Sequence, residues 1–178
     1  RVTVGDFKIT PPPKRAPRVL LGGMAPPAID RAARIADGFL CTGGIGMDTY
    51  VECLAANGKA PEEGNIILGS WAIIAEDPEA EAERVGDHVL YQSNEYTRWG
   101  AFGPPDQTPL FPDARTAIEN GLYELWDADM AVEKLSAMIE QYPQISDIHF
   151  WAQFPGESVE AGDRRMTYIA EKVLPRLR

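Results

Sequence analysis

Two glycine clusters have the residue types and spacing best suited to chemistry. Gly22-Gly23 ends a compact apolar run, Arg18-Val19-Leu20-Leu21, and stands just ahead of Pro26-Pro27. Residues without side chains let a ligand approach backbone N–H groups closely. The N-terminus of a following helix adds free N–H groups and the positive end of its dipole. A phosphate or another anion suits such a turn. A tight strand-to-helix turn with no ligand suits it at least as well. Thr42-Gly43-Gly44-Ile45-Gly46 repeats the pattern after the next apolar run, Phe39-Leu40-Cys41, and adds a hydroxyl. If both runs are parallel strands of a barrel, both turns lie on its C-terminal face, where active sites are found.

The other reactive residue types point less clearly. His149 lies in an apolar run, Asp147-Ile148-His149-Phe150-Trp151-Ala152, and is the candidate acid or base. The sequence offers it no partner, and a core or barrel-facing histidine with a satisfied hydrogen bond is the plainer reading. Cys41 abuts the second glycine turn, where inert burial is expected rather than nucleophilic duty. Asp37 and Asp147 read as caps or structural partners, Trp71 and Trp151 as core, and Arg31 and Arg34 as solvated. His88 and His149 are the only histidines, and neither has a second ligand at metal-binding spacing, so no metal is expected. No Ser/His/Asp or Cys/His arrangement presents itself.

The elements that must position these residues alternate. Val2 to Thr10 reads as a short strand or hairpin, broken by Pro11-Pro12-Pro13. A strand over Arg18–Leu21 leads to a helix opened by Pro26-Pro27, with Ala28, Ile29, Ala32, Ala33 and Ile35 as its apolar stripe. Phe39–Cys41 is the second strand and Met47–Asn57 the second helix, stopped by Gly58. Asn65–Ala75 reads as the third strand, and Pro78 begins a long helix reaching Tyr91 or beyond. Gly100–Pro112 is a loop, Thr116–Trp126 reads as helical, and Met130–Tyr142 is an amphipathic helix after a cap at Asp127-Ala128-Asp129. Asp147–Ala152 is the fourth strand and Val159–Val173 the last helix. Strand and helix alternating in this way predicts an α/β fold, with a parallel sheet and crossover helices. The chain reads as one partial domain over 1–178, with a lead-in over 1–17 and a long excursion over 91–128. Excursions of that length are usually lids or binding walls.

Composition sets limits. The chain has 178 residues, 44% of them hydrophobic, and a formal net charge of −10. That suits one globular unit with a core, but a complete (β/α)8 barrel takes about 250 residues. The acidic balance disfavours nucleic acid and anionic membrane surfaces as partners. No apolar run approaches the ~18 residues of a membrane span. Two cysteines make no disulfide framework and fit a cytoplasmic location. The chain opens on Arg1 rather than Met, so a piece of a longer protein is expected.

Two blocks resemble the luciferase-like family of flavin- or deazaflavin-dependent oxidoreductases. One is Ala16-Pro17-Arg18-Val19-Leu20-Leu21-Gly22-Gly23; the other is Arg31-Ala32-Ala33-Arg34-Ile35-Ala36-Asp37-Gly38-Phe39. The continuation to Gly46 is similar to the deazaflavin-dependent branch, and Phe154-Pro155-Gly156 with Val173-Leu174-Pro175 is similar to the family's last strand-helix unit. The resemblance implies the C-terminal half of a TIM (β/α)8 barrel, strands five to eight, with 1–17 as the tail of an insertion. It implies coenzyme F-420 (deazaflavin) or FMN as cofactor and a small organic molecule as substrate. Gly22 and Gly23 would hold the cofactor phosphate through backbone N–H groups, with Ala25 and Pro26 close by, and Thr42 and Gly43 would line the pocket. The glucose-6-phosphate dehydrogenases of that branch place a lysine where Ile45 stands, so that substrate is not implied. The family's ring-contacting and acid/base residues lie mostly on strands one to four. The chain therefore carries half a site, and a homo-oligomer or a paired N-terminal half-barrel is expected. The alternative is a non-catalytic half-barrel that binds a phosphate-bearing ligand or simply assembles.

Overall fold

The computed structural model describes residues 11–120, 123–151 and 153–177. The expected strand or hairpin over 2–10 lies outside them. Six strands and six longer helices follow one another: β1 Leu20–Gly22, α1 Pro26–Ile35, β2 Gly38–Thr42, α2 Met47–Ala56, β3 Ile66–Ser70 and β4 Ala72–Ile74, then α3 Pro78–Arg98, α4 Ala114–Glu119, β5 Glu124–Trp126, α5 Ala128–Gln141, β6 Ile145–Phe150 and α6 Val159–Lys172. The main sheet has the order β1-β2-β3-β6, and β4 and β5 form a second, two-stranded ribbon. Every pairing is parallel. This is the α/β architecture that the alternation predicts.

Helix starts follow local chemistry. Asp77, Asp113 and Asp127 accept hydrogen bonds from Ala80, Thr116 and Met130 N–H groups, and each caps its helix. Ser158 does the same for α6. Pro26 and Pro27 open α1 at positions where the missing N–H is no loss.

The helices cover one face of the sheet. Phe39, Cys41, Ile66 and Leu68 point into a core with Ile29, Ala32, Ala33, Tyr50 and Leu54. Phe39 stacks on Tyr50 with ring centroids 5.1 Å apart. Trp126, Leu135 and Val173 form a second cluster; Val85, Val89, Tyr123 and Phe154 form a third.

Two expectations need correcting. The run Asn65–Ala75 is not one strand. It breaks at Trp71: β3 pairs with β2 and β6, whereas β4 turns to pair with β5. Thr116–Trp126 is not one helix either. α4 ends at Glu119 with Asn120 as its C-cap, and Glu124–Trp126 is a strand. The Glu124 N–H bonds to the Trp71 carbonyl at 2.9 Å, so the bend in the third strand is what accepts the new strand. Long-range pairing overrides the local helical period there.

Candidate functional site

Because all main-sheet strands are parallel, their C-terminal ends lie at one end of the sheet. The ends carry Gly22, Thr42, Ser70 and Phe150. The face of this sheet opposite the helices is open. Register sets its rows: Thr42 lies beside Gly69, and Gly69 beside His149. One step lower, Gly22, Leu40, Ile67 and Asp147 form the next row. Side chains alternate along a strand, so these residues share the face that the core residues leave. Thr42, Asp147 and His149 are exposed, and Leu40 is 46% exposed despite its apolar side chain.

Thr42 and His149 are therefore two strands apart, roughly 10 Å at the usual strand spacing. Gly69 stands between them without a side chain. A Cβ there would lie 4.0 Å from the Thr42 hydroxyl. The row thus carries a hydroxyl on one side of Gly69 and an imidazole on the other. Gly69 is not among the site residues predicted from the sequence. A glycine inside a strand often marks the close approach of a ligand or another backbone, and that was the available signal.

The glycine turns divide by role. A Cβ on Gly23 would sit 2.6 Å from the Ala28 Cβ, and one on Gly22 would sit 3.2 Å from the Leu40 carbonyl. Gly23 is thus accounted for by strand-helix packing alone, and Gly22 is tightly placed against the neighbouring strand. Gly43 differs: its φ is +59° and a Cβ would meet nothing within 4 Å. Its N–H is already taken by the Gly69 carbonyl at 2.8 Å.

The helix end after Gly23 is poorer in donors than its position implied. Pro26 and Pro27 have no N–H, and the Ala28 N–H bonds to the Ala25 carbonyl at 2.8 Å. Among the described residues, no backbone partner takes the N–H groups of Met24 or Ala25. Those loop amides, at exposed positions, are available to an anion, as is the half-buried Gly23 N–H, which no backbone partner takes either.

Cys41 is buried, its thiol bonds to the Ile45 carbonyl at 3.5 Å, and burial pushes its pKa up to about 11. It stays a thiol. Asp37 accepts from the Val19 N–H at 2.7 Å, a structural tie. Asp147 accepts from the Ser146 hydroxyl at 2.7 Å. Among the described residues, His149 has no hydrogen-bond partner and no cluster of three metal-ligating side chains exists. No helix of these residues is long and apolar enough to cross a membrane.

The far end of the face is aromatic, which the sequence did not disclose. Trp71 touches Tyr96, Phe102, Tyr123 and Trp151, with centroids 5.2 to 6.4 Å apart. Trp71 is half-buried and packs against the third core cluster, as its core reading implies, whereas Trp151 is exposed. They follow the ends of β3 and β6 and stand at the C-terminal end of the sheet. Behind Trp151, the loop into α6 is fixed by charge. Glu157 accepts from Phe154 N–H at 3.1 Å and pairs with Arg165 and with Arg84, the latter at 2.6 Å. Burial pushes the Glu157 carboxyl up, but the hydrogen bonds from Arg165 and Arg84 outweigh it and bring the pKa down to about 2.

A sequence model of the luciferase-like monooxygenase family matches residues 1–141. No curated protein matches the sequence. Among solved structures, the coenzyme F-420-dependent tetrahydromethanopterin reductase from Methanopyrus kandleri is 13% identical with a TM-score of 0.60, covering 90% of this chain and 51% of that one. The monooxygenase RslO1 from Streptomyces bottropensis is 18% identical with a TM-score of 0.60, covering 91% and 49%. The oxygenating constituent of 3,6-diketocamphane monooxygenase from Pseudomonas putida, solved with FMN, is 16% identical with a TM-score of 0.54, covering 92% and 50%. At these identities the likeness is one of fold: parallel strands with crossover helices, the C-terminal half of a (β/α)8 barrel. The chain spans about half the length of the structures it matches.

Proposed function

Because the chain belongs to the luciferase-like monooxygenase family, we propose that it forms the C-terminal half of a flavin- or deazaflavin-dependent oxidoreductase. The observation that carries this reading is the open row Thr42, Gly69, His149, at the same sheet end as the Met24 and Ala25 amides. Coenzyme F-420 or FMN is the cofactor this end fits: an anion donor set at one strand, an open row for a flat group beside it. When bound, the cofactor supplies hydride transfer, or oxygen activation in its reduced form, to a small organic substrate.

The chain's own residues orient and exclude. The Met24 and Ala25 N–H groups hold the phosphate, with Gly22, Gly23 and Pro26 shaping the turn. The Thr42 hydroxyl donates to the cofactor or substrate edge, and Gly43 and Gly69 leave room for it. His149 is the side chain in the row able to hold or release a proton. The Leu40–Ile67 row beneath keeps water from the site once covered.

What covers that row is the other half of a barrel, supplied by the same polypeptide, a second copy, or a separate N-terminal half. The exposure of Leu40 and the free edges of β1 and β6 support this. The same observation favours a second reading, a non-catalytic half-barrel that assembles. Fluorescence titration with FMN and with coenzyme F-420, beside light scattering on a sizing column, separates them. Micromolar binding that weakens about fivefold in Thr42→Val fits the oxidoreductase; a hydrogen bond is worth about 1 kcal/mol. A folded, assembled protein with no affinity for either cofactor leaves the assembling half-barrel.

A further inference from the structure

A cavity of about 300 Å³ opens beside the aromatic end of the sheet, lined by Gln92, Trp151, Gln153, Phe154, Pro155 and Gly156. Its volume falls at the small end of the ligand-pocket range, enough for a single ring with a short substituent. A larger cavity of about 410 Å³ lies between α3 and α6. Its Arg84 and Arg165 are engaged by Glu81. They hold α3 and α6 together, so that hollow is a by-product of a charge cluster.

The smaller cavity is differently made. Gln92 is 5% exposed, and its Oε1 accepts a hydrogen bond from the Tyr123 hydroxyl at 2.8 Å. Tyr123 is itself buried, and burial pushes its phenol pKa up, so it stays protonated and keeps the donor role. A carboxamide has one acceptor oxygen and one donor nitrogen. With the oxygen engaged by Tyr123, the NH2 group is what Gln92 has left to offer. That NH2 group has no hydrogen-bond partner among the described residues and is not sealed from solvent, so an acceptor on a ligand would take the place of a bound water there. Opposite stands Trp151, 39% exposed and packed edge-on against Trp71 at 6.1 Å.

The wall between them is held rigidly. His88 donates from Nδ1 to the Pro155 carbonyl at 3.0 Å. Gln153 donates to the Glu157 carbonyl at 2.8 Å, and Glu157 accepts from the Phe154 N–H while Arg84 and Arg165 fix its carboxylate. Gly156, at φ +84°, could not carry a Cβ without crowding the His88 ring at 3.3 Å. Three side chains from α3 and α6, with Gln153 and Glu157 of the turn itself, thus fix this five-residue turn. Such pre-organisation lowers the entropic cost of binding.

We propose that this cavity is a binding subsite for a neutral aromatic molecule bearing a carbonyl-type acceptor, with the acceptor on the Gln92 amide and the ring on Trp151. Trp151 follows His149 by two positions on the same strand direction, so the subsite adjoins the open row. That the occupant is the substrate rests on the oxidoreductase reading; that it binds here does not.

The test uses fluorine NMR on the whole chain with two probes of matched shape, 4′-fluoroacetophenone and 4-fluoro-α-methylstyrene, in which a CH2 group replaces the carbonyl oxygen. The ketone binds the native protein roughly three- to tenfold more tightly than the hydrocarbon, the ratio that one net hydrogen bond gives. Gln92→Leu abolishes that preference and keeps hydrocarbon binding. Gln92→Glu, which keeps an oxygen for Tyr123 and removes the NH2 group, does the same and serves should the leucine variant not fold. Trp151→Ala weakens both probes. Equal binding of the two probes by the native protein, no binding of either, or a preference that survives both Gln92 variants overturns the proposal. Titrating the same samples with FMN and coenzyme F-420 keeps the two readings apart. Cofactor binding without ketone preference sinks only the subsite. Ketone preference without cofactor binding sinks only the oxidoreductase.

Discussion

The two ends of the open face are built by different means. At β1 and β2 the chain makes the site from backbone: glycine turns, loop amides and a lone hydroxyl, drawn from neighbouring stretches of sequence. At β4 and β6 it makes the site from side chains that meet across long stretches, with Tyr123 reaching Gln92 over 31 residues and Arg165 reaching Glu81 over 84. The first end is shaped by what is missing, the second by what is pinned. A backbone-built end adapts to a ligand that many proteins share, whereas a side-chain-built end is where selectivity can be changed residue by residue.

The strongest challenge to that contrast is Glu157. Replacing it with alanine removes the carboxylate that Arg84 and Arg165 share in a buried setting. Urea unfolding should show a loss of about 4 kcal/mol, and hydrogen exchange should show the 153–157 turn loosened while the 43–46 turn is unchanged. The native protein should also be acid-sensitive in a defined window. The Glu157 carboxyl has a pKa of about 2 when folded and an ordinary value of 4.5. Its contribution is complete above about pH 4.5 and is lost as pH falls towards 2, on the order of 3 kcal/mol in all. Glu157→Gln should lack that portion of the acid slope. An identical slope in both proteins would mean that the turn is not held by this charge.

A smaller effect tests the backbone end. Gly23→Val places a side chain against the Ala28 Cβ and should cost about 2 kcal/mol of stability. Adding Ala28→Gly should return part of it, because the clash is with that one methyl. If the second change restores nothing, the glycine serves something other than helix packing. Smallest of all is Gly43→Ala. Its positive φ costs an alanine about 1 kcal/mol, with no steric contact to add. Thermal unfolding should shift by only a few degrees, so a large loss of cofactor affinity in this variant would mark close backbone approach by the ligand.

The contrast also explains what could be read in advance. Strands β1 and β2 and helices α1 and α2 were legible because their signals are local: Pro26-Pro27, the apolar stripe through Ile29 and Ala33, the stop at Gly58. The positions of Gly22, Gly23, Thr42 and Gly43 were legible too. What Gly22 and Gly23 do was not, since their packing against Leu40 and Ala28 is known only in three dimensions. Strand β5 was hidden because its identity comes from β4, some fifty residues away, and not from its own period. The Gln92–Tyr123 pair had no signal at all: two ordinary residues acquire a role by meeting. His149 lies on the open face by the alternation along β6, a local rule, but it is exposed and lacks the hydrogen-bond partner that its plainer reading supposed.

The bend at Trp71 has a consequence in time. The β1–β2 pairing closes a loop of roughly 20 residues, β4–β5 one of about 50, and β3–β6 one of about 80, and each doubling of a loop adds about 0.6 kcal/mol to its entropic closure barrier. The chain therefore has an early half and a late half. Because Ser70 and Ala72 belong to different ribbons, Trp71 is the junction between them. While the late half is still searching, β3 presents a bare edge to any strand that arrives, and the refolding yield of this protein should be governed by how quickly β6 reaches it.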